Sequence, residues 1–326
     1  MAETFGPAGQ AERNRRPQNE DTPMADLILH HYEISAFSER VRLAMGLKGL
    51  TYRSVLVPPL MPKPDLTALT GGYRRAPVLQ VGADIYCDSL MILRTLDRLH
   101  PEPSLAPGGM QAIATPLAWW IDKSLFMPAL GVVGNVNAGK IPPEFVTERK
   151  AFGFNLDPAD IGPLLPLQRD QAAVHLDWLA AMLADGRPFL LGDRPCLADL
   201  AAHCPVWLLR TQGRAAAEAL LPLTRLEGWY ARVCAIGHGI PLPLSSADAL
   251  AIARDAEPVA PDVAGTAGDL RTGERVTVTP DDTGRDPVAG ELLAADAQTI
   301  VIRRTDPELG RLNLHYPRAG YDVAPA

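Results

Sequence analysis

Two adjacent polar residues, Asp88 and Ser89, stand where a short apolar segment gives way to a helical pattern. The first backbone N–H groups of a helix lack intrahelical partners, and the helix dipole adds positive potential there, so an anion is stabilised. Asp88 and Ser89 therefore indicate an anion site, although simple N-capping explains an Asp-Ser pair equally well. Arg74 and Arg75 leave similar alternatives open, because guanidinium groups suit carboxylates but also suit a solvated turn.

Metal and disulfide chemistry are not indicated by the cysteines. Cys87, Cys196, Cys204 and Cys234 form no C-x-x-C pair, and no His/Cys cluster has the spacing of zinc ligands. We expect four reduced, mostly buried thiols and no metal.

The composition of the chain limits the kinds of molecule that the protein is expected to bind. The 326 residues are 47% hydrophobic and 21% charged, which is typical of a globular protein of two or three domains. A net charge of −7 without a basic stripe argues against nucleic-acid binding. The longest apolar stretch, from Leu125 to Gly139, is too short to span a bilayer, and no secretory signal is visible. We expect a cytoplasmic protein that does not bind membranes.

The elements that must position Asp88 and Ser89 follow in the order β-α-β-α-β-β-α. A polar extension over residues 1–24 is predicted to be disordered, and residues 25–101 form an α/β domain. Its first helix is predicted to begin at the N-cap Ser38 and to stop at Gly49. Gly82, Ala83 and Asp84 join the last two strands as a hairpin.

Two further domains are predicted. Residues 110–254 show only helical patterns, with Leu197–Leu209 apolar on nearly all sides and therefore central. The period changes to two after a linker rich in Pro, Gly and Asp, so residues 269–326 are predicted to form a small β-barrel-like domain. We expect this domain to dock on the rest and to contribute little to ligand binding.

Four motifs in this order resemble the glutathione S-transferase superfamily over about Asp26 to Arg254. The matching segments are Ser35–Arg42 (SAFSERVR), Arg74–Leu79 (RRAPVL), Ile85–Ser89 (IYCDS) and Pro188–Asp199 (PFLLGDRPCLAD). The resemblance implies a thioredoxin-like glutathione-binding domain followed by an all-helical domain.

The same resemblance implies roles for individual residues. The bond between Ala76 and Pro77 is expected to be cis, which turns the backbone of Ala76 toward the cysteinyl part of glutathione. Asp88 and Ser89 would hold the γ-glutamyl end. Ser35 occupies the place of the thiol-activating residue, where its hydroxyl would donate a hydrogen bond to the glutathione sulfur and favour the thiolate.

The helix that begins near Phe37 would add its dipole to this activation, so Phe37 is also assigned to the glutathione site. Ser38 is the alternative to Ser35, but helix capping explains it adequately. The chain departs from the family at Cys196, where a Ser or Thr usually caps the central helix, and in its C-terminal strands. Asp199 can still reach back to the Cys196 amide, whereas the forward bond is weakened.

The function implied by the resemblance is a cytosolic glutathione-dependent transferase that adds the thiolate to a soft hydrophobic electrophile. Glutathione is the co-substrate, and a homodimer is expected from the family alone. A glutathione-dependent isomerase or ether-cleaving enzyme and a non-catalytic binding or scaffolding protein remain alternatives, because fold does not decide function.

Overall fold

A computed structural model describes residues 26–263, 265 and 270–326 of the chain. The extension predicted over residues 1–24 lies outside the described residues. The helices are α1 (Ala36–Leu47), α2 (Pro64–Thr70), α3 (Ser89–Leu99), α4 (Gln111–Trp120), α5 (Phe126–Val136), α6 (Pro143–Phe152), α7 (Pro158–Ile161), α8 (Leu165–Met182), α9 (Leu197–Leu208), α10 (Arg214–Glu218), α11 (Glu227–Cys234) and α12 (Ser246–Asp255). The strands are β1 (Leu27–His31), β2 (Thr51–Leu56), β3 (Val78–Val81), β4 (Asp84–Cys87), β5 (Ile240–Pro243), β6 (Arg275–Pro280), β7 (Val288–Ala295), β8 (Thr299–Asp306), β9 (Gly310–Pro317) and β10 (Tyr321–Pro325).

The strands and helices from β1 to α3 fold as a thioredoxin-type unit, as predicted. Strand β1 pairs in parallel with β2 and antiparallel with β3, and β3 pairs antiparallel with β4. Helices α1 and α3 share one hydrophobic core with the helical unit, whereas α2 and α12 belong to a second core with the C-terminal strands. These two cores cover the sheet because its central strands are apolar on both faces.

The C-terminal strands extend this sheet, and the prediction of a separate barrel-like domain is not confirmed. Among the described residues, ten strands follow one another in the linear order β10-β6-β7-β8-β9-β4-β3-β1-β2-β5. The junction is a parallel pairing in which Ile85 lies opposite Leu314 and Tyr86 opposite His315. An alternating pattern predicts strands but does not identify the edge to which they bind, and the unpaired groups of β4 offered such an edge.

A buried hydrogen bond accompanies this junction. His315 Nε2 lies 2.8 Å from Asp84 Oδ1, and the His315 ring stacks on Tyr86 with centroids 4.4 Å apart. The second oxygen of Asp84 accepts the backbone N–H of Val259 at 2.8 Å. The junction therefore combines backbone pairing with polar contacts that depend on register.

One strand also arises within the segment predicted to be all helical. Strand β5 has the sequence Ile-Pro-Leu-Pro and pairs in parallel with β2 at the far edge of the sheet. Its two prolines lack an N–H, which an edge strand tolerates because only one side needs donors. This absence of an ordinary strand signature explains why the pattern alone did not reveal β5.

Helix α9 is the buried centre of the helical unit, as predicted, and it contacts the first helix of the sheet unit. The thiol of Cys204 donates to the backbone oxygen of Ala36 at 3.0 Å. The start of α9 is held by Asp199, whose carboxylate accepts the backbone N–H groups of Leu190 and Cys196 and the indole N–H of Trp229, at 2.8, 3.0 and 2.8 Å. The reach of Asp199 back to the Cys196 amide is therefore confirmed.

Serine at position 196 should stabilise this arrangement. The Cys196 thiol donates to Asp199 Oδ2 at 3.1 Å, and a hydroxyl is a stronger donor and a better N-cap. We expect Cys196→Ser to raise the free energy of unfolding by about 0.5–1 kcal/mol, measured by denaturant titration. Cys196→Ala should lower it. A serine variant no more stable than the parent would mean that Cys196 acts mainly through its packing volume.

Candidate active site

A cavity of about 370 Å³ lies where the sheet unit, the helical unit and the C-terminal strands meet. All six predicted site residues line it, namely Ser35, Phe37, Ala76, Pro77, Asp88 and Ser89. The structure therefore brings together residues that are separated by as many as five secondary-structure elements in the chain. Their roles in binding and catalysis stay predictions.

Ser35 is the N-cap of α1, and the prediction that Ser38 holds this place is wrong. The helix begins at Ala36, and Ser35 Oγ accepts the backbone N–H of Ser38 at 3.1 Å. Because this bond uses Oγ as an acceptor, the hydroxyl proton of Ser35 is free to be donated to a ligand. Ser38 is fully buried, is not a residue of the cavity, and its Oγ has no hydrogen-bond partner among the described residues.

The backbone before β3 has the conformation that the motif predicts. The peptide bond between Ala76 and Pro77 is cis, and β3 begins directly afterwards at Val78. Ala76 and Pro77 line the cavity together with residues from the first turns of α1 and α3. An extended ligand segment could pair there as an added strand does.

Asp88 is the N-cap of α3 and also lines the cavity. Its position is therefore compatible both with simple helix capping and with a ligand site. Its Oδ1 accepts the backbone N–H of Leu90 at 2.8 Å, and its Oδ2 accepts the hydroxyl of Tyr321 at 3.1 Å. Asp88 has φ 81°, a region that favours glycine, so the surrounding contacts hold a strained residue in place. Burial raises the pKa of Asp88, although the Leu90 N–H and Arg75 oppose this shift.

Arg40 and Asp122 are site residues that the sequence did not reveal. Arg40 is 1% exposed, and its guanidinium donates to Asp122 Oδ2 at 2.8 Å and to Ser89 Oγ at 3.4 Å. Burial opposes the charged form, but Asp122 and Cys204 hold the pKa of Arg40 above its ordinary value. An arginine within an amphipathic helix carries no signal in the sequence that it will be buried.

The C-terminal strands supply one wall of the cavity, although the sequence led us to expect that they contribute little to ligand binding. Tyr321 lines the cavity and bonds to Asp88, and its hydroxyl also lies 3.0 Å from that of Tyr73. Gly320 has φ 87° and lies against the ring of Trp119, where a side chain would be strained. Strand β10 can reach the site only because β9 continues the sheet beyond β4.

The remaining walls are apolar on one side and cationic on the other. Trp119, Phe126 and Met127 line the cavity from the helical unit. Trp120, which adjoins them in sequence, packs instead against Trp178 with ring centroids 5.7 Å apart. Lys63, Arg74, Arg75 and Arg149 form the cationic side, and Arg75 is paired with Asp282 at 2.5 Å.

Comparison with known families agrees with this fold. The glutathione S-transferase N-terminal domain matches residues 29–104, and the glutathione S-transferase C-terminal domain matches residues 147–232. A solved GST-like protein from Pseudomonas syringae is 34% identical, with a TM-score of 0.74. The likeness covers 93% of this chain and 100% of that one, so it includes most of the C-terminal strands. The chain belongs to the glutathione S-transferase superfamily.

More distant solved structures resemble a smaller part of the chain. A glutathione S-transferase from Rhodospirillum rubrum F11 is 23% identical with a TM-score of 0.49, covering 64% of this chain and 87% of that one. A glutathione S-transferase of Ceriporiopsis subvermispora in complex with glutathione is 18% identical, with a TM-score of 0.49. The likeness covers 66% of this chain and 98% of that one. No curated protein matches the chain in sequence. No helix within the described part of the chain is long and apolar enough to cross a membrane.

Removing the Tyr321 hydroxyl should destabilise the protein in a pH-dependent way. Tyr321→Phe takes a donor from a buried carboxylate, and we expect a loss of about 1–3 kcal/mol in the free energy of unfolding at neutral pH. Asp88 has a raised pKa, so acidification makes it neutral, weakens the bond in the parent protein and should shrink the difference. Denaturant titrations at several pH values measure this.

Tyr316→Phe is the matched control for this measurement. The Tyr316 hydroxyl is buried and has no hydrogen-bond partner among the described residues, so its removal should cost little at any pH. Equal losses in both variants, independent of pH, would contradict a specific bond between Tyr321 and Asp88.

Proposed function

We propose that the protein binds glutathione in this cavity and activates its thiol for attack on a soft electrophilic small molecule. The observation that carries the proposal is the convergence of three groups on one cavity: the Ser35 hydroxyl, the cis bond between Ala76 and Pro77, and the first turn of α3. The superfamily to which the chain belongs binds glutathione, which supports the same conclusion.

Each part of the tripeptide has a chemically suitable partner. The γ-glutamyl carboxylate would bind Ser89 and the N-terminal amides of α3, where the helix dipole favours an anion. The γ-glutamyl ammonium would bind Asp88. The cysteinyl backbone would pair with Ala76, which leaves the sulfur near the first turn of α1.

The chemistry at the sulfur requires a stabilised thiolate. Ser35 is 6% exposed and can donate its hydroxyl proton, because its oxygen is already an acceptor for the Ser38 N–H. Phe37 lies in the first turn of α1, where backbone N–H groups add positive potential. The thiol proton passes to solvent, and the thiolate then forms a C–S bond as the leaving group departs with its electron pair.

The apolar wall of the helical unit would bind the body of the acceptor. Phe126 contacts Phe37 with ring centroids 4.6 Å apart, so the apolar wall begins beside the first turn of α1. Trp119 and Met127 continue this wall. A homodimer and a cytoplasmic location stay predictions.

Ser35→Ala should reduce turnover far more than it reduces glutathione affinity. The hydroxyl would contact only the sulfur, and loss of one charge-assisted hydrogen bond predicts about a 10- to 100-fold lower rate. The pKa of the bound thiol should rise in this variant, and titration of thiolate absorbance against pH measures it. The lost cap should also lower the free energy of unfolding by about 1 kcal/mol.

Ser38→Ala is the matched control, because it removes a neighbouring hydroxyl that lies outside the cavity. This variant should leave turnover, the thiol pKa and stability nearly unchanged, since its Oγ has no partner among the described residues. An unshifted thiol titration in Ser35→Ala would contradict activation by Ser35. Glutathione binding without turnover of a broad set of electrophiles would favour the non-catalytic alternative.

A further inference from the structure

The loop between β6 and β7, residues 281–287, lies along one side of the cavity. Asp282 and Thr283 of this β6–β7 loop line the cavity, whereas Asp281 and Arg285 are exposed and do not line it. The loop therefore has one side on the cavity and the other on solvent. It forms part of the cover that separates a ligand in the cavity from water.

Apolar burial contributes little to holding the β6–β7 loop in place. The strands on either side end at buried residues, Pro280 and Val288, but none of residues 281–287 is buried. Their sequence, DDTGRDP, is polar throughout. A segment with few buried apolar contacts opens at a much lower free energy than the core strands that flank it. The ends of the loop can therefore stay fixed while the residues between them move.

Ion pairs connect this loop to the two other units that form the cavity. Lys123 Nζ of the helical unit lies 3.0 Å from Asp281 Oδ1 and 3.2 Å from Asp282 Oδ2. Asp282 also pairs with Arg75 of the sheet unit. The side chains of Lys123 and its two acids are 34–45% exposed, so each pair contributes little and is weakened by salt.

Lys123 stands at the rim of the apolar wall of the cavity. It belongs to a π-helical turn, Ile121–Leu125, that joins α4 to α5, and such turns are frequent at functional sites. Its Nζ lies 4.8 Å from the centroid of the Trp119 ring, and both residues line the cavity. The ion pairs of Lys123 therefore close the cavity beside the wall that we assign to the acceptor.

A second contact joins the loop to the end of α6. The backbone N–H of Gly284 donates to the backbone oxygen of Phe152 at 2.6 Å. Gly284 has φ 52°, and a Cβ atom built on it would lie 2.4 Å from Phe152 Cε2, so only glycine allows this close approach. The Gly284 amide is bonded in this way only while the loop is closed, and it therefore reports on opening.

We propose that the β6–β7 loop is a movable cover over the cavity, and that the ion pairs of Lys123 with Asp281 and Asp282 are the latch that holds it closed. Opening separates the loop from Lys123, Arg75 and Phe152 and leaves the ten-stranded sheet unchanged. The rate at which a ligand enters is then proportional to the fraction of molecules with an open loop. This inference rests on the proposed function only for the identity of the ligand.

Hydrogen exchange of the Gly284 amide, followed by NMR, tests the cover without any ligand. Raising the salt concentration from about 0.05 M to about 0.5 M screens exposed ion pairs, so this amide should exchange about 2- to 5-fold faster. Lys123→Gln removes both ion pairs and should accelerate the exchange about 2- to 30-fold. The amide of Ile302, in the buried strand β8, is the reference and should not respond to either change.

Stopped-flow binding of S-hexylglutathione, whose alkylated sulfur cannot react, tests the consequence for ligand entry. A looser latch raises the association and dissociation rates together, whereas loss of a direct contact between Lys123 and the ligand raises only the dissociation rate. We expect both rates to rise about 2- to 30-fold in Lys123→Gln. Arg53→Gln is the matched control, because Arg53 is 38% exposed, pairs with Asp26 at 3.0 Å and lies outside the cavity. This control should change neither the rates nor the Gly284 exchange.

Two results would overturn the proposal. One is a Gly284 amide that exchanges as slowly as that of Ile302 at both salt concentrations, because the loop would then open only when the whole protein unfolds. The other is an association rate that is unchanged or lower in Lys123→Gln. If S-hexylglutathione does not bind the parent protein, the proposed function is contradicted, and the Gly284 exchange alone decides whether the loop is a cover. Thermal melts show whether each variant is folded, and the salt series on the parent protein needs no variant.

Discussion

The parallel pairing of β4 with β9 is the constraint on which the rest of the molecule depends. A sheet edge with unpaired backbone groups tends to bind another strand, and here the chain uses its own C-terminal strands. The buried contact between Asp84 and His315 lies in the same register. Because a one-residue slip would move every side chain of β9 to the opposite face, this register also determines where β10 and Tyr321 lie.

The consequence is a cavity that needs three parts of the chain to be complete. Asp88 illustrates this most directly, because its carboxylate caps a helix of the sheet unit and accepts a hydroxyl from the last strand. Trp119 of the helical unit approaches Gly320 across the same space. A ligand in the cavity would therefore touch all three parts and stabilise their association, since binding favours the assembled state.

Charge in the cavity is arranged unevenly. Arg40 and Arg75 each have a carboxylate within hydrogen-bond distance, so the field of these pairs is largely local. Lys63 and Arg149 are compensated much less, and the first turns of α1 and α3 add further positive potential. The cavity is consequently suited to a ligand that carries negative charge.

The sequence by itself determined the local structure and much of the site. Short-range patterns predicted the order of the first seven elements and the burial of α9. The family resemblance predicted the cis proline and identified Ser35, Asp88 and Ser89, which the structure places around one cavity. The N-cap of α1 was predicted at Ser38 but lies about one turn earlier, at Ser35. Both serines are acceptable N-caps, and only the backbone angles distinguish them.

Tertiary structure alone decided the sheet edge chosen by the C-terminal strands, the addition of β5 and the burial of Arg40. It also brought Tyr321 to Asp88 across 233 positions of the chain. Periodicity reports which face of an element is buried, but it carries no information about which distant element covers that face. Long-range pairing depends on the register and packing of the whole chain, and the walls of this cavity are built from such pairings.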